Sequence, residues 1–327
     1  MIRNFTRRSV SSVITLWLVT LIVFFLLRVA PGDAVIGALS QSPGEGFFSA
    51  EQIDARRHEL GLDRSWPEQY ATWLYNIVRL DLGRSMTSGA SITDELGYRF
   101  MVTLETAIIA TLLIVFVGVP AGVMAAARPG SIIDLVTRSF ALTLLALPAF
   151  WVGLSAILAM AAWFGYFAPP DYAQLWENPL HNLQQIGPAA VVLALGPMAV
   201  LARVTRTVTI EAMGRDYVRA ARAKGLSEAV LLWRHAFRSV APHALTVLGA
   251  QVVFLMGGAV VVEQVFNLPG IGRALVDAVL TRDYTTVQFM VIVFAITALT
   301  ANLIIDLVHI YLDPRINSIA TDKATGT

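Results

Sequence analysis

The sequence predicts an all-α membrane protein: six transmembrane helices and a small helical segment between the first two. Three observations carry that expectation. Hydrophobic residues make up 56 % of the 327 positions and charged residues only 14 %, where soluble domains run near about 25 % charged. The apolar residues gather into six long runs, and the positive charges gather in particular loops between them. Mean hydropathy is +0.64. A formal net charge of +1 offers no basic field for nucleic acid. With no cysteine in the chain, disulfides, thiolate metal sites and cysteine nucleophiles are excluded.

A bilayer core about 30 Å thick needs roughly 20 apolar helical residues. Windows free of Asp, Glu, Lys and Arg at 9–27, 106–127, 139–170, 178–202, 239–262 and 284–305 qualify. Arg3, Arg7 and Arg8 precede the first, and "FFLLRVAPGD" (24–33) offers no small-residue cleavage site, so this run reads as a retained anchor. The three arginines put the N-terminus in the cytoplasm. Segment 165–187 has no Lys or Arg and falls outside, whereas 203–238 carries Arg203, Arg206, Arg215, Arg219, Arg222, Lys224, Arg234 and Arg238 and falls inside. The expected organisation is a cytoplasmic N-terminus (1–8), a first span (9–29), an exterior helical segment (30–101), a spanning core (102–312) with a cytoplasmic loop at 203–240, and a cytoplasmic tail (313–327).

The exterior segment is too polar to cross and carries its own helix signals. Ser49-Ala50-Glu51-Gln52 has capping-box spacing ahead of "IDARRHEL", Gly61 can supply a left-handed end, and Pro67 can open a second helix through "EQYATWLYNIV".

The stretch "DYVRAARAKGL" (216–226) is the one that suits lipid least. Burying Arg219, Arg222 and Lys224 at the bilayer centre would cost on the order of 2.5–3.5 kcal/mol each, so the stretch lies outside the hydrocarbon. It still reads as a helix, with Asp216 as N-cap, Ala220, Ala221 and Ala223 as strong helix formers, and Gly225 as its end. Helices below roughly 12–15 residues are marginal in water, so this one needs a surface to pack on. Tyr217, Ala220, Ala221 and Lys224 fall on one face, whose small residues admit close approach of a partner. Ser227 and Glu228 then open a second short helix, with Val230, Leu231, Leu232, Trp233 and Phe237 available to pack back. A basic loop serving only topology or anionic lipid is the alternative; topology, however, does not call for a capped helix with a small-residue face.

Ionisable groups within or bordering spans are Arg28, Glu105, Glu263 and Asp306. Mutual pairing or snorkelling accounts for most such groups, and Glu263, which follows "GGAVVV", is the leading candidate for a pathway role. Gly118 and Gly122 form a G-x-x-x-G step suited to tight helix contact. Pro148 and Pro197 are candidate bends, and "NLPGIG" (267–272) reads as a turn. The histidines at 58, 181, 235, 243 and 309 show no metal-ligand spacing, and neither a catalytic triad nor a G-x-x-x-x-G-K-[ST] phosphate loop is present.

At this point the residues resemble a family. "EAMGRDYVRAARAKGLSEAVLLWRHAF" looks like the cytoplasmic loop of ABC importer permeases, with an Ala-Ala pair four residues before a glycine. "LGLDRSWPEQY" (60–70), "LDLGRS" (80–85), "ALPAFWVGL" (146–154), "VVEQVFNLPGIGRALVDAVLTRDY" (261–284) and "YLDPRI" (311–316) resemble the dipeptide, oligopeptide and nickel branch, in particular its first permease subunit. Two departures are Arg219, where the generic motif has glutamate, and Pro242, one residue before the usual proline.

The resemblance implies a type I ABC importer permease fold in a bacterial inner membrane, forming half of a pathway for peptides. It implies a homologous second permease, two cytoplasmic ATPases carrying ATP and magnesium, and an extracytoplasmic binding protein, with no cofactor or catalytic residue on this chain. Asp216, Tyr217, Arg219, Ala220, Ala221, Arg222, Lys224, Gly225 and Leu226 become the expected ATPase-coupling residues, and Glu263, Glu105 and Pro148 the candidate pathway or gate residues. Dipeptides, longer peptides, glutathione, nickel chelates and some sugars all remain open as substrate. Two other classes stand beside this reading. A stand-alone secondary transporter or channel would need an inverted second half or coupling-ion residues deep in the spans, and an intramembrane enzyme would need an acid, base or metal constellation.

Overall fold

The computed structural model describes residues 2–30, 32, 34–39, 49–169 and 171–312. The expected tail 313–327 and the side chains of His235, Asp306 and His309 lie outside the described residues. In chain order the helices are α1 (Ile2–Val29), α2 (Ala34–Leu39), α3 (Ala50–Glu59), α4 (Trp66–Val78), α5 (Ile92–Leu113), α6 (Val119–Ala127), α7 (Ile132–Ala146), α8 (Ala149–Phe164), α9 (Pro179–Met213), α10 (Asp216–Ala223), α11 (Glu228–Val230), α12 (Phe237–Val265), α13 (Ile271–Leu280) and α14 (Tyr284–Leu312). Wide π-helical turns, Ile114–Gly118 and Leu231–Ala236, join α5 to α6 and α11 to α12. Each lies a few residues before a proline, Pro120 or Pro242, that stays inside the continuing helix. Proline removes one rung of the hydrogen-bond ladder, and a nearby wide turn lets the chain continue.

Among the described residues, five stretches are long and apolar enough to cross a bilayer: Val10–Val29, Ile92–Ala127, Pro179–Met213, Phe237–Val265 and Tyr284–Ile305. The expected third span is not continuous. α7 and α8 meet at 109°, so a sixth crossing exists only if this bent pair is counted as one. The break sits at Leu147, which is extended (φ −94°, ψ 133°), and Pro148, which opens α8. Proline pushes the preceding residue out of the helical region, which is the physical cause. Gly165, left-handed at φ 58°, then ends α8 at Phe164, well short of residue 170. Pro197 makes no such break and lies inside the 35-residue α9.

Two other expectations change. The stretch 203–213, read as loop, continues α9 to Met213 because no helix breaker occurs before Gly214. After "NLPG", Gly270 caps α13, a helix too short to register as a span, whose Ile271, Ala274 and Ala278 are buried along one face.

Chain contacts group the fold into two units, Met1–Thr103 with Pro269–Thr297, and Leu104–Leu268 with the chain from Ala298. In the first, Phe24 of α1 is fully buried against Tyr70 (ring centroids 5.2 Å apart) and Trp73 (6.1 Å) of α4. The capping box at Ser49 forms in both directions, Gly61 is left-handed at φ 65°, and Pro67 stands in the first turn of α4. Asp283 ties the 81–91 turn to the start of α14. Its carboxylate accepts from Ser85 Oγ at 2.5 Å, Met86 N–H at 3.1 Å and Thr87 Oγ1 at 3.2 Å, and from Thr286 N–H at 3.1 Å and Oγ1 at 2.9 Å. It therefore serves as the N-cap of α14 and as the anchor of the turn.

In the second unit α9 is the central element, with α6, α7, α8 and α12 packed on it. The expected G-x-x-x-G contact forms here. A Cβ on Gly118 would stand 3.2 Å from Met198 O, and one on Gly122 only 2.4 Å from Ala202 O and 2.8 Å from Thr205 Cβ. These glycines let α6 approach the backbone of α9 directly, the small-residue packing that membrane helices use in place of a hydrophobic driving force.

Gly122→Val is expected to lower stability by about 1–3 kcal/mol or more through overpacking against the α9 backbone. Thermal unfolding of detergent-purified protein checks it, with Gly257→Val in α12, where nothing lies within 4 Å and φ is not positive, as the control for substitution at an uncrowded glycine.

Candidate functional site

The short basic helix forms as expected, but its capping and its faces differ from the sequence reading. α10 spans Asp216–Ala223, so Asp216 is its first residue and Arg215, extended at ψ 153°, is the N-cap without a side-chain cap bond. Asp216 instead pairs with Arg219 one turn on and still complements the positive helix N-terminus. The C-terminal end follows the expected pattern closely. Gly225 is left-handed at φ 82°, its N–H reaches Arg222 O at 3.0 Å, and Leu226 N–H reaches Ala221 O at 3.4 Å. That pair of bonds is a Schellman end, and it needs a residue that takes positive φ without cost.

Val218 and Ala221 are buried, packing with Leu231 and Met213. Ala221 thus belongs to the anchoring side rather than to the presented one. Asp216, Tyr217, Arg219, Ala220, Arg222, Lys224, Gly225 and Leu226 are exposed. The 3.6-residue repeat explains the split, because Val218 and Ala221 stand three apart and take one side while Arg219 and Arg222 take the other. Tyr217 is half turned back, its hydroxyl 3.0 Å from Ser239 Oγ on α12.

The expected second short helix is the beginning of a longer one. Ser227 is extended and precedes α11, which passes through the π turn straight into α12. Leu231 and Leu232 pack inward, whereas Val230 and Trp233 are exposed. A bidentate pair, Arg222 Nε to Glu228 Oε1 at 2.7 Å and Nη2 to Oε2 at 3.1 Å, closes the turn between α10 and α11. Hydrogen bonding from this guanidinium holds the Glu228 carboxyl below the usual carboxylate range and raises the pKa of Arg222.

Two carboxylates expected near a pathway are enclosed in different ways. Glu105 accepts from Tyr172 Oη at 2.7 Å and from Asn182 Nδ2 at 2.9 Å, an arrangement that anchors the 171–182 segment. Glu263 is fully buried in α12, and its carbonyl accepts from Leu268 N–H at 2.9 Å. Neither lines the cavity between the α7–α8 bend, α9 and α12. That cavity, about 360 Å³, lies where α7 and α8 bend apart beside α9 and α12, and its walls include Leu147, Ala149, Leu193, Pro197, Gln251 and Phe254. Pro148 therefore sits at the bend between two lining residues, while Gln251 supplies one of the few polar groups.

The sequence reading missed Asp134 and Arg206. Arg206 Nε donates to Asp134 Oδ1 at 2.5 Å and Nη2 to Oδ2 at 2.8 Å, and Gly130 N–H adds a third bond at 2.9 Å. The Asp134 side chain is only 2 % exposed. This pair fixes the α6–α7 turn to the end of α9 that leads into α10. An arginine late in a long apolar helix was the available signal; its partner 72 residues earlier was not readable.

Residues 118–318 match the family described as "Binding-protein-dependent transport system inner membrane component", and residues 1–119 match its N-terminal counterpart. The chain belongs to this family. It is a multi-pass inner membrane component of a binding-protein-dependent transport system. The dipeptide transport system permease protein DppB of Escherichia coli strain K12 is 35 % identical over 321 residues, with 91 % of this chain and 94 % of the relative covered. A protein of Brucella suis biovar 1, named a peptide transport system permease, is 35 % identical over 311 residues, covering 95 % of this chain and 98 % of that one. The permease's bent pair, long α9 and capped α10 all fall within the matched 118–318 stretch.

Two outcomes test this geometry. A depressed carboxylate pKa contributes stability above the unfolded-state value that disappears as pH falls through the folded value. Hydrogen-exchange protection across 216–230 of the permease, taken relative to the intrinsic rate at each pH, should therefore fall as pH drops below the usual carboxylate range, and Glu228→Gln should lower it already at neutral pH and remove that pH dependence. For the buried pair, Arg206→Met should lower the thermal midpoint, while the double variant Arg206→Met/Asp134→Leu recovers most of the loss, since the cost is the stranded carboxylate.

Proposed function

We propose that this chain forms half of the translocation passage of an ATP-driven importer of peptides of the dipeptide and oligopeptide class. A homologous second permease completes the passage, an extracytoplasmic binding protein delivers the solute, and two ABC ATPases, carrying ATP and magnesium, dock on residues 216–226. The chain itself contributes no catalytic residue. The observation that carries this reading is α10: an eight-residue helix, too short to persist alone, tied down by Val218 and Ala221 while its cationic side stays open. The peptide class rests on end-to-end similarity to proteins named for peptide and dipeptide transport.

In this reading both termini and the 203–240 region lie in the cytoplasm, which the arginine distribution supports. Nucleotide-driven movement of the ATPases displaces α10, and through the π turn the displacement reaches α12 and the cavity at the α7–α8 bend. Pro148 acts there as the hinge. Glu263 and Glu105 border the passage as enclosed carboxyl groups.

The test is reconstitution of the four subunits and the binding protein in proteoliposomes. Gly225→Val should reduce coupled peptide uptake about tenfold or more, because a β-branched residue at positive φ costs about 1–2 kcal/mol and distorts the helix end. Membrane insertion should be unchanged. Undiminished uptake, uptake by this chain without ATP, or labelling of cysteines placed at 216–226 from the exterior would each overturn the proposal.

A further inference from the structure

The first unit holds a second cavity, about 320 Å³, among the end of α1, the ends of α3 and α4, the 81–86 turn and the start of α14. Its apolar walls include Leu60, Trp73, Ile77 and Phe289, and its polar groups are unevenly matched. Arg28 lies over the Phe24 ring, its guanidinium carbon 3.3 Å from the centroid. It donates to Gln69 Oε1 from Nε at 3.0 Å and from Nη2 at 2.7 Å, and to Phe24 O from Nη1 at 3.1 Å. Those bonds use three of the five donors that a guanidinium carries, leaving two. Gln69 cannot turn away, since its own Nε2 is committed to Leu62 O and Arg64 O. Gln288 lines the same cavity, is 4 % exposed, and has its Nε2 buried without an acceptor among the described residues.

Two kinds of unused donor line this partly apolar recess: two N–H groups of the Arg28 guanidinium and a buried Gln288 amide with no acceptor among the described residues. Such a recess is completed by a ligand that brings two acceptor oxygens and one negative charge. We propose that this cavity binds the carboxylate of a small organic ligand, a short peptide's C-terminus being a suitable form. A carboxylate matches the paired donors of a guanidinium, and the apolar walls accommodate the group attached to it. Phosphate fits less well, because the two lining arginines, Arg28 and Arg64, are already matched in number by the carboxylates of Glu59 and Asp81, which repel a second negative charge. Those carboxylates suit the ammonium end of a zwitterion. The cavity is separate from the one beside the α7–α8 bend, and the inference does not depend on which solute the importer carries.

The experiment is ligand-observed saturation-transfer NMR on the full chain, assembled with its partner subunits in nanodiscs, with dialanine, dialanine amide and inorganic phosphate as probes. Dialanine is expected to bind about tenfold or more tightly than its amide. Arg28→Gln should erase that preference. Gln288→Met keeps the side-chain volume and should weaken dialanine severalfold without lowering the thermal midpoint, which separates a binding role from a structural one. Equal binding of dialanine and its amide would overturn the proposal, as would insensitivity to both substitutions. Tighter binding of phosphate, or a phospholipid found in the cavity by native mass spectrometry, would overturn it in favour of a phosphate or headgroup site. Because dialanine carries a carboxylate whatever the transported solute, failure here leaves the importer reading to be judged by its own uptake assay.

Discussion

The second unit depends on how closely its helices approach α9. Lipid tails are as apolar as leucine, so helices in a membrane gain little from burying one another's methyl groups and instead rely on backbone proximity and polar contacts. Both occur along α9. Gly122 brings α6 to the Ala202 carbonyl, Gly258 of α12 lies beside Leu193, and Arg206 clamps Asp134 near the helix end. The cavity beside the α7–α8 bend is left open because Pro148 turns the chain away from a helix that would otherwise fill the same space.

The first unit is held by a different kind of contact. Aromatic packing of Phe24, Tyr70 and Trp73 joins the first span to α4, and Asp283 gathers five donors from the 81–91 turn and from α14. A buried carboxylate is costly unless its lone pairs are matched, and here they are. The spare donors of Arg28 and Gln288 stand out against that background of satisfied groups.

How much was legible in the sequence followed the physical range of each determinant. Local signals were reliable: the capping box at Ser49, the left-handed glycines at 61 and 225, and the small-residue step at 118–122 depend on neighbours a few residues away. Hydropathy found every apolar run but could not see that Leu147-Pro148 divides one of them, since composition is blind to a pre-proline dihedral. The face of α10 was half right. Periodicity grouped Tyr217, Ala220 and Ala221 together, but only the fold decides on which side of the boundary Ala221 falls. Long-range pairs, Asp134 with Arg206 and Asp283 with Ser85, left no trace, because the partners stand 72 and 198 residues apart.

The uninterrupted passage from α11 through the π turn into α12 has a mechanical consequence. Residues 228–265 form one rod, about 57 Å long at 1.5 Å per residue, whose irregularities, the π turn at Leu231–Ala236 and Pro242, both lie toward the end that adjoins α10. In the proposed importer, displacement of α10 would enter this rod at the end bearing the π turn and be carried along it toward the faces bearing Gln251, Phe254 and Glu263.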